Sequence, residues 1–151
     1  MGETIQAAGK MVVRAVCMAL LALTLVRPAL AADDAADFVA AFRAAFEGKD
    51  LGAALNLFCW SGIDGAKRRF IVGLVERDLA RELAAVSILE VDAAPTEFVI
   101  DGVVNRPNAP VVGHLLAEFA EPGGVRHVSL HMLGETADGH CIALAIPELE
   151  I

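Results

Sequence analysis

Four histidines all lie in the second half of this chain, and histidine is the side chain best suited to proton transfer near neutral pH and to metal binding. His127 and His131 would share one face of a strand, but four strand residues span about 13 Å, too far for two ligands of one ion at about 2.1 Å each. His114, which shares a strand face with Glu118, could join His127 or His131 in a metal site only if the strands pair in one favourable register. We therefore predict no metal site and no cofactor. Together with His140, these histidines are interpreted as part of a partly solvated sheet face.

Acid–base catalysis is the second chemistry that these residues could carry out. It requires a histidine and a carboxylate held together in a pocket, and the candidate groups are His131, His114 and Asp101. His131 is the first choice because its predicted neighbours on that strand face are polar. The chain contains no tyrosine, so a phenolic proton donor is excluded, and no spacing marks a catalytic pair. We predict no catalytic residue and keep a small acid–base enzyme that uses a pocket histidine as the alternative.

Residues suited to binding without reaction cluster in one predicted loop. Residues 105–110 include two prolines that would hold the loop rigid, and loops carry recognition more often than cores do. We predict Asn105, Arg106 and Asn108 as contact residues, although the same segment would also serve as a stiff connector between strands. Trp60 could stack on a ligand at a pocket mouth, and a core position at the end of an apolar helix is the other interpretation.

The first residues of the chain have the composition of an export signal. Lys10 and Arg14 form a short basic start, an apolar run follows, and 29–31 (Ala-Leu-Ala) is the small-x-small pattern cut by signal peptidase. The apolar run of about 12 residues is shorter than the roughly 20 needed to span a bilayer. We predict a cleaved signal peptide over 1–31 and a single mature domain over 32–151. The mature protein would lie in the periplasm or outside the cell, without membrane insertion.

Two cysteines, Cys59 and Cys141, remain after this cleavage. In an oxidising compartment such a pair predicts a disulfide, which would close most of the domain and destabilise the unfolded chain by about 4–5 kcal/mol. Two buried free thiols that pack as small apolar residues are the alternative. The pair lacks Cys-x-x-Cys spacing, so redox catalysis is not expected.

Charge limits the possible partners. Removing Glu3, Lys10, Arg14 and Arg27 leaves 19 acidic and 9 basic residues, a formal charge of −10 over 120 residues. Binding to nucleic acid or to anionic lipid depends on clustered Lys and Arg, so we predict neither partner. A small apolar ligand or a protein partner remains, the latter including a homodimer.

Helical periodicity fills the first half of the mature chain and gives way to strands near Val86. Asp50 and Asp64 are predicted N-caps of the second and third helices. The predicted helices cover 38–46, 50–58 and 64–83, and the predicted strands cover 86–91, 97–100, 111–119, 125–133 and 141–146. The gaps between strands contain turn residues and leave no room for crossover helices, so the sheet should be antiparallel.

Within 125–133, polar and apolar residues alternate: His127, Ser129 and His131 are polar, and Val128, Leu130 and Met132 are apolar. This alternation predicts one covered face and one face that is polar or lines a cavity.

This order of elements resembles a known fold. The Phe-rich first helix, the break at Gly48-Lys49-Asp50-Leu51 and the short helix ending in Phe58-Cys59-Trp60 resemble the NTF2-like (SnoaL-like) α+β folds. Residues 101–113 also resemble a stretch of small exported bacterial proteins of unknown function. The resemblance implies three N-terminal helices packed on a curved four- to five-stranded antiparallel sheet, a cone with a pocket between sheet and helices.

The same resemblance leaves the activity open, because this fold serves isomerases, dehydratases, hydrolases and binding domains alike. In its isomerases and dehydratases, an Asp–His or Asp–Tyr pair in the pocket moves the proton. We therefore expect an exported, non-catalytic binding or interaction domain, which would hold a small apolar ligand or a protein partner in the pocket or at the 105–110 loop.

Overall fold

The computed structural model describes residues 27–147. The chain divides into two compact units, Met1–Asp33 and Asp34–Ile151, and both sheets, the disulfide and the cavity described below belong to the second unit. The predicted signal peptide and its cleavage site lie outside the described residues, except for the backbone of 27–31, which is helical.

Three helices lie in the described part of the chain: α1 (Arg27–Glu47), α2 (Leu51–Leu55) and α3 (Gly65–Leu79). Asp50 caps α2 by accepting a hydrogen bond from the N–H of Ala53, and Asp64 caps α3 by accepting one from the N–H of Lys67. Both caps lie where the sequence predicted them. None of these helices is long and apolar enough to cross a membrane.

The third helix ends at Leu79 and not at the predicted Leu83. These two leucines have helical spacing and both are buried, but Leu83 belongs to the first strand, where it lies opposite Phe119. The helical spacing therefore correctly predicts that Leu83 is buried but wrongly assigns it to the helix. The helix and the strand that follows it both contribute apolar residues to the same core.

Seven strands lie in the described residues: β1 (Glu82–Glu90), β2 (Phe98–Ile100), β3 (Val103–Pro107), β4 (Val111–Ala120), β5 (Arg126–Thr136), β6 (Gly139–Ala143) and β7 (Ala145–Pro147). They form a four-stranded sheet in the order β1-β4-β5-β6 and a three-stranded sheet in the order β2-β3-β7. All neighbouring strands in both sheets are antiparallel. The α+β class is thus confirmed, with helices before antiparallel strands, whereas the predicted single sheet is replaced by two.

The second sheet arises from a hairpin that the sequence analysis did not identify. Asp101 and Gly102 have φ angles of 51° and 80°, the backbone conformation of a two-residue type I′ turn, which Asp-Gly favours. This turn joins β2 to β3, and β3 then pairs with β7. Residues 105–107 of the predicted loop are therefore strand, and 108–110 form the remaining loop.

The register of the four-stranded sheet decides which residues face the helices. His127, Ser129 and His131 lie opposite Phe119, Ala117 and Leu115 of β4, respectively, and residues directly opposite each other in an antiparallel pair share a face. All three β4 residues are fully buried, each at 0% exposure. The polar side of β5 consequently faces the helices, whereas the alternating Val128 and Leu130 are exposed at 53% and 58%.

One buried apolar cluster joins the helices to this face of the sheet. Phe42 and Phe119 are fully buried, as is Leu115. The ring of Phe46 lies 4.2 Å from that of Phe42 and 5.8 Å from that of Phe119, measured between centroids. Full burial of one such side chain contributes about 1.5–3 kcal/mol, so the aromatic contacts are a main source of stability.

Cys59 and Cys141 form the predicted disulfide, with Cα atoms 5.4 Å apart. Cys59 lies beyond α2, in an extended segment that runs along the free edge of β6. The N–H of Ile142 donates to the carbonyl of Leu57 at 2.7 Å, and the N–H of Cys59 donates to the carbonyl of Ile142 at 3.0 Å. These backbone hydrogen bonds hold Cys59 beside Cys141 and allow the two side chains to form the disulfide.

Candidate functional site

A cavity of about 480 Å³ lies between α3 and the strands β5 and β6. Ile71, Leu74 and Val75 of α3 supply much of its apolar wall. Three exposed apolar residues also border it: Phe70 at 64%, Leu130 at 58% and Ile100 at 47% exposure. Pockets of about 300–1,000 Å³ with mainly apolar walls and a few polar groups are typical of small-molecule sites.

His131 is a half-buried titratable group that lines this cavity. Its ring packs near Phe42 and Phe58, with centroids 6.4 Å from each. Removal from water lowers the pKa of His131, and the carboxylate of Asp78 opposes this with a smaller effect that raises it. The imidazole is therefore neutral at physiological pH. Within the described residues, no hydrogen bond to another side chain or to the backbone engages its ring nitrogens.

The cavity wall becomes polar at the C-terminal end of α3. The Nε2 atom of His127 lies 3.7 Å from Oδ1 of Asp78. The hydroxyl of Ser129 lies between them, 3.4 Å from Oδ2 of Asp78 and 3.3 Å from Nε2 of His127. Arg81 binds the same carboxylate at 2.5 Å and extends the network to Glu121 at 2.8 Å.

This network does not have the order of a nucleophilic triad. In a triad the histidine lies between the acid and the nucleophile, whereas here Ser129 lies between Asp78 and His127. The distance of 3.7 Å between Asp78 and His127 exceeds that of a hydrogen bond, and the Asp78 carboxylate is already ion-paired with Arg81. The arrangement therefore has neither the order nor the Asp–His hydrogen bond of a nucleophilic triad.

The three alternative catalytic residues lie in different parts of the structure. His131 lines the cavity. His114 lies opposite Met132 in the register, on the outer face of the sheet. Asp101 is in the β2–β3 turn of the second sheet. Of these three residues, His131 alone therefore lines the cavity.

In the described part of the chain, no group of three or more His, Cys, Asp or Glu side chains could hold a metal ion.

Both polar atoms of the Asn108 side chain, one of the predicted contact residues, make hydrogen bonds to the backbone. Its amide nitrogen donates to the carbonyl of Cys59 at 2.5 Å and to that of Ser61 at 3.0 Å. Its side-chain oxygen accepts from the N–H of Leu144 at 2.7 Å. These contacts tie the 108–110 loop to the segment that carries the disulfide, which is a structural role. Contact with a partner stays a prediction.

The neighbouring candidates differ in exposure. Asn105 is buried at 5% exposure and donates to the carbonyl of Val103 at 2.8 Å. Arg106 is exposed and ion-paired with Glu97 at 2.7 Å. An open groove of about 480 Å³ borders Arg106 and Asn108, so this surface offers a partner a shallow contact site.

Trp60 lies at the edge of the core. Its indole N–H donates to the carbonyl of Leu55 at 2.8 Å, and its ring centroid is 5.6 Å from that of Phe58. The guanidinium of Arg68 lies 4.6 Å from the ring centroid, at a distance typical of a cation–π contact. Both the donor and the ring are thus engaged within the chain, as the core interpretation expects, and ligand stacking stays a prediction.

Sequence reasoning missed Asp78 and Ser129 as members of one polar network. Asp78 follows Ile71 and Leu74 at spacings of seven and four residues, which places an acidic side chain on the apolar side of α3. An isolated acid on a buried helix face needs a partner, and that signal was available from the sequence. The identity of the partners was not, because they lie on a distant strand.

Comparisons with known proteins give no relative. No protein family matches the sequence, no curated protein is significantly similar to it, and no solved structure matches it significantly. The fold and the site therefore define only a broad class of protein: a disulfide-linked α+β domain with two antiparallel sheets and a mainly apolar cavity lined by a half-buried histidine.

His131, whose pKa is lowered by its partial removal from water, makes the stability of the domain depend on pH. Its pKa in the folded state lies below the ordinary value of about 6.5, so the unfolded chain binds more protons between the two values. The free energy of unfolding should therefore fall as the pH drops through about 6.5. Urea denaturation at about pH 7.5 and about pH 5 measures this fall, which should be smaller in His131→Leu. An equal fall in parent and variant would contradict the assignment.

Proposed function

We propose that the domain binds a small apolar ligand in the cavity between α3 and the four-stranded sheet, without catalysing a reaction on it. The observation that carries the proposal is the combination of an apolar wall with one half-buried, neutral histidine whose ring nitrogens make no hydrogen bond to the described residues. Such a histidine can satisfy one polar group of an otherwise apolar molecule. A ligand with one polar group could therefore exchange a hydrogen bond with this ring while its apolar part contacts the cavity wall.

The proposal includes an NTF2-like cone as the fold and export as the location. Helices that precede antiparallel strands, and a cavity on the helix side of the sheet, support the first. The disulfide between Cys59 and Cys141 supports the second, because disulfides persist mainly in oxidising compartments. A protein partner, including a second copy of the chain, stays a prediction for the groove beside Arg106 and Asn108.

The proposed function is tested with a neutral apolar probe whose fluorescence rises when it leaves water, N-phenyl-1-naphthylamine. We expect saturable binding with micromolar affinity, and displacement by 1-decanol. Leu74→Trp places a larger side chain in the cavity wall and should weaken binding at least tenfold. Glu76→Trp makes a comparable insertion at an exposed position of the same helix and serves as the matched control, which should bind like the parent.

Two outcomes would contradict the proposal. The first is the absence of saturable binding to the parent protein. The second is equal binding by the parent and by Leu74→Trp, since the probe would then occupy another surface. Circular dichroism and urea denaturation establish that both tryptophan variants are folded before their affinities are compared.

A small acid–base enzyme is the second candidate, favoured by the presence of His127, Asp78 and His131 in one cavity. The geometry ranks it second, because Asp78 is ion-paired with Arg81 and lies beyond hydrogen-bond distance of His127. Exchange of the α-protons of 2-decanone in heavy water distinguishes the two functions. If the protein is an enzyme, the parent should exchange these protons faster than buffer does, and His131→Leu should not. If the protein only binds its ligand, the exchange rate should equal that in buffer.

A further inference from the structure

The cavity is lined by a cation whose ammonium makes one hydrogen bond within the described residues, to a backbone carbonyl. Lys67 lies near the N-terminal end of α3 and lines the cavity. Its ammonium donates to the carbonyl of Ala145 in β7. None of the ion pairs among the described residues includes Lys67, and its ammonium makes no second hydrogen bond to these residues. An ammonium has three N–H donors, so Lys67 can still donate to another acceptor.

The charged groups around the cavity favour an anion, although the whole chain is acidic. The formal charge of the chain is −8, so its overall field repels anions. The charged side chains that line the cavity are Lys67, Arg77 and Asp78. Asp78 is already ion-paired with Arg81, which leaves a local excess of positive charge. An opposite charge that is partly removed from water is attracted more strongly than in bulk solvent.

The shape of the cavity fits an elongated molecule. Lys67 and Asp78 mark the two ends of its wall on α3, which are separated by about 16 Å at the rise of an α-helix. Ile71, Leu74 and Val75 lie between them and are apolar. A ligand that follows this wall would meet a cation at one end, apolar side chains along its length and the Asp78 network at the other end.

We infer that the ligand is an amphiphilic anion, an apolar chain that ends in a carboxylate, and that the carboxylate pairs with the ammonium of Lys67. This inference rests on the proposed binding function and adds to it the chemical class of the ligand. Lys67 recognises the head group as a point charge, and the apolar wall of α3 recognises the chain.

Decanoate and 1-decanol test the inference, because they share the alkyl chain and differ in the head group. Displacement of N-phenyl-1-naphthylamine is measured at about pH 8, where the carboxylate is ionised, and below the micelle concentration of decanoate. The parent should bind decanoate about tenfold more tightly than 1-decanol. Lys67→Met keeps the length and apolar stem of the side chain and should abolish this preference, with 1-decanol affinity changed less than twofold.

The matched control is Arg69→Met, which removes an exposed cation of the same helix outside this cavity and should keep the tenfold preference. If neither compound binds the parent, the proposed function fails and the inference fails with it. If both bind equally, the binding function stands and the inference is overturned. If Lys67→Met still prefers decanoate to 1-decanol, another residue binds the carboxylate, and the inference is also overturned. Unchanged binding of 1-decanol establishes that Lys67→Met is folded.

Discussion

Replacing both Cys59 and Cys141 by alanine should lower the free energy of unfolding by about 4 kcal/mol. The disulfide joins residues 82 positions apart, so it removes many conformations from the unfolded chain, and in the loop-entropy model a bond of this span is worth about 4–5 kcal/mol. Packing of the two sulfur atoms beside Ala109 and Val111 is also lost. Urea denaturation of the parent and the double variant without reductant measures the difference.

The double variant is preferable to either single one, since a lone cysteine could form a bond between molecules. The parent in reductant is the internal control, and it should approach the stability of the double variant. Thiol titration of the denatured, unreduced parent should find neither Cys59 nor Cys141 free. If reductant leaves the stability of the parent unchanged, the bond either does not form or does not contribute.

Asn108→Ala should destabilise the domain by about 2–4 kcal/mol. The side chain makes three hydrogen bonds, to the carbonyls of Cys59 and Ser61 and from the N–H of Leu144. Its removal leaves backbone groups without partners, and a buried group without a partner costs about 1–3 kcal/mol. Urea denaturation measures the loss, and the affinity for the neutral probe should change little, because Asn108 does not line the cavity of α3.

Asn56→Ala is the matched control for this substitution. Asn56 is an exposed C-cap of α2, and among the described residues its side chain makes no hydrogen bond. The same chemical change there should alter the free energy of unfolding by less than about 0.5 kcal/mol. Similar losses in the two variants would show that the three hydrogen bonds of Asn108 do not stabilise the fold.

Local patterns in the sequence were enough to predict several elements. Asp50 and Asp64 identified the starts of α2 and α3, because an N-cap acts on backbone N–H groups within the next turn. The turn residues in the gaps between the predicted strands indicated an antiparallel sheet, and the β4–β5 and β5–β6 pairs are antiparallel. Each of these signals depends on residues a few positions apart, which is why a single sequence contains them.

Predictions that needed contacts between distant residues were less complete. The sequence analysis did not predict the β2–β3 hairpin at Asp101-Gly102 or its pairing with β7. A short strand has too few residues for an alternation of polar and apolar side chains to be recognised. β7, with three residues, is such a strand. The extent of α3 was overestimated for a related reason, because Leu83 is buried by pairing with a strand and not by the helix.

The amino-acid sequence by itself determined the α+β class, the caps, most of the hairpins and the alternation of polar and apolar residues in β5. Only the tertiary structure decided which side of β5 faces the helices, because a shift of one residue in strand register moves every side chain to the other face. The observed register places His127, Ser129 and His131 on the helix side, next to Asp78. The candidate site therefore depends on a register between strands, which no local pattern specifies.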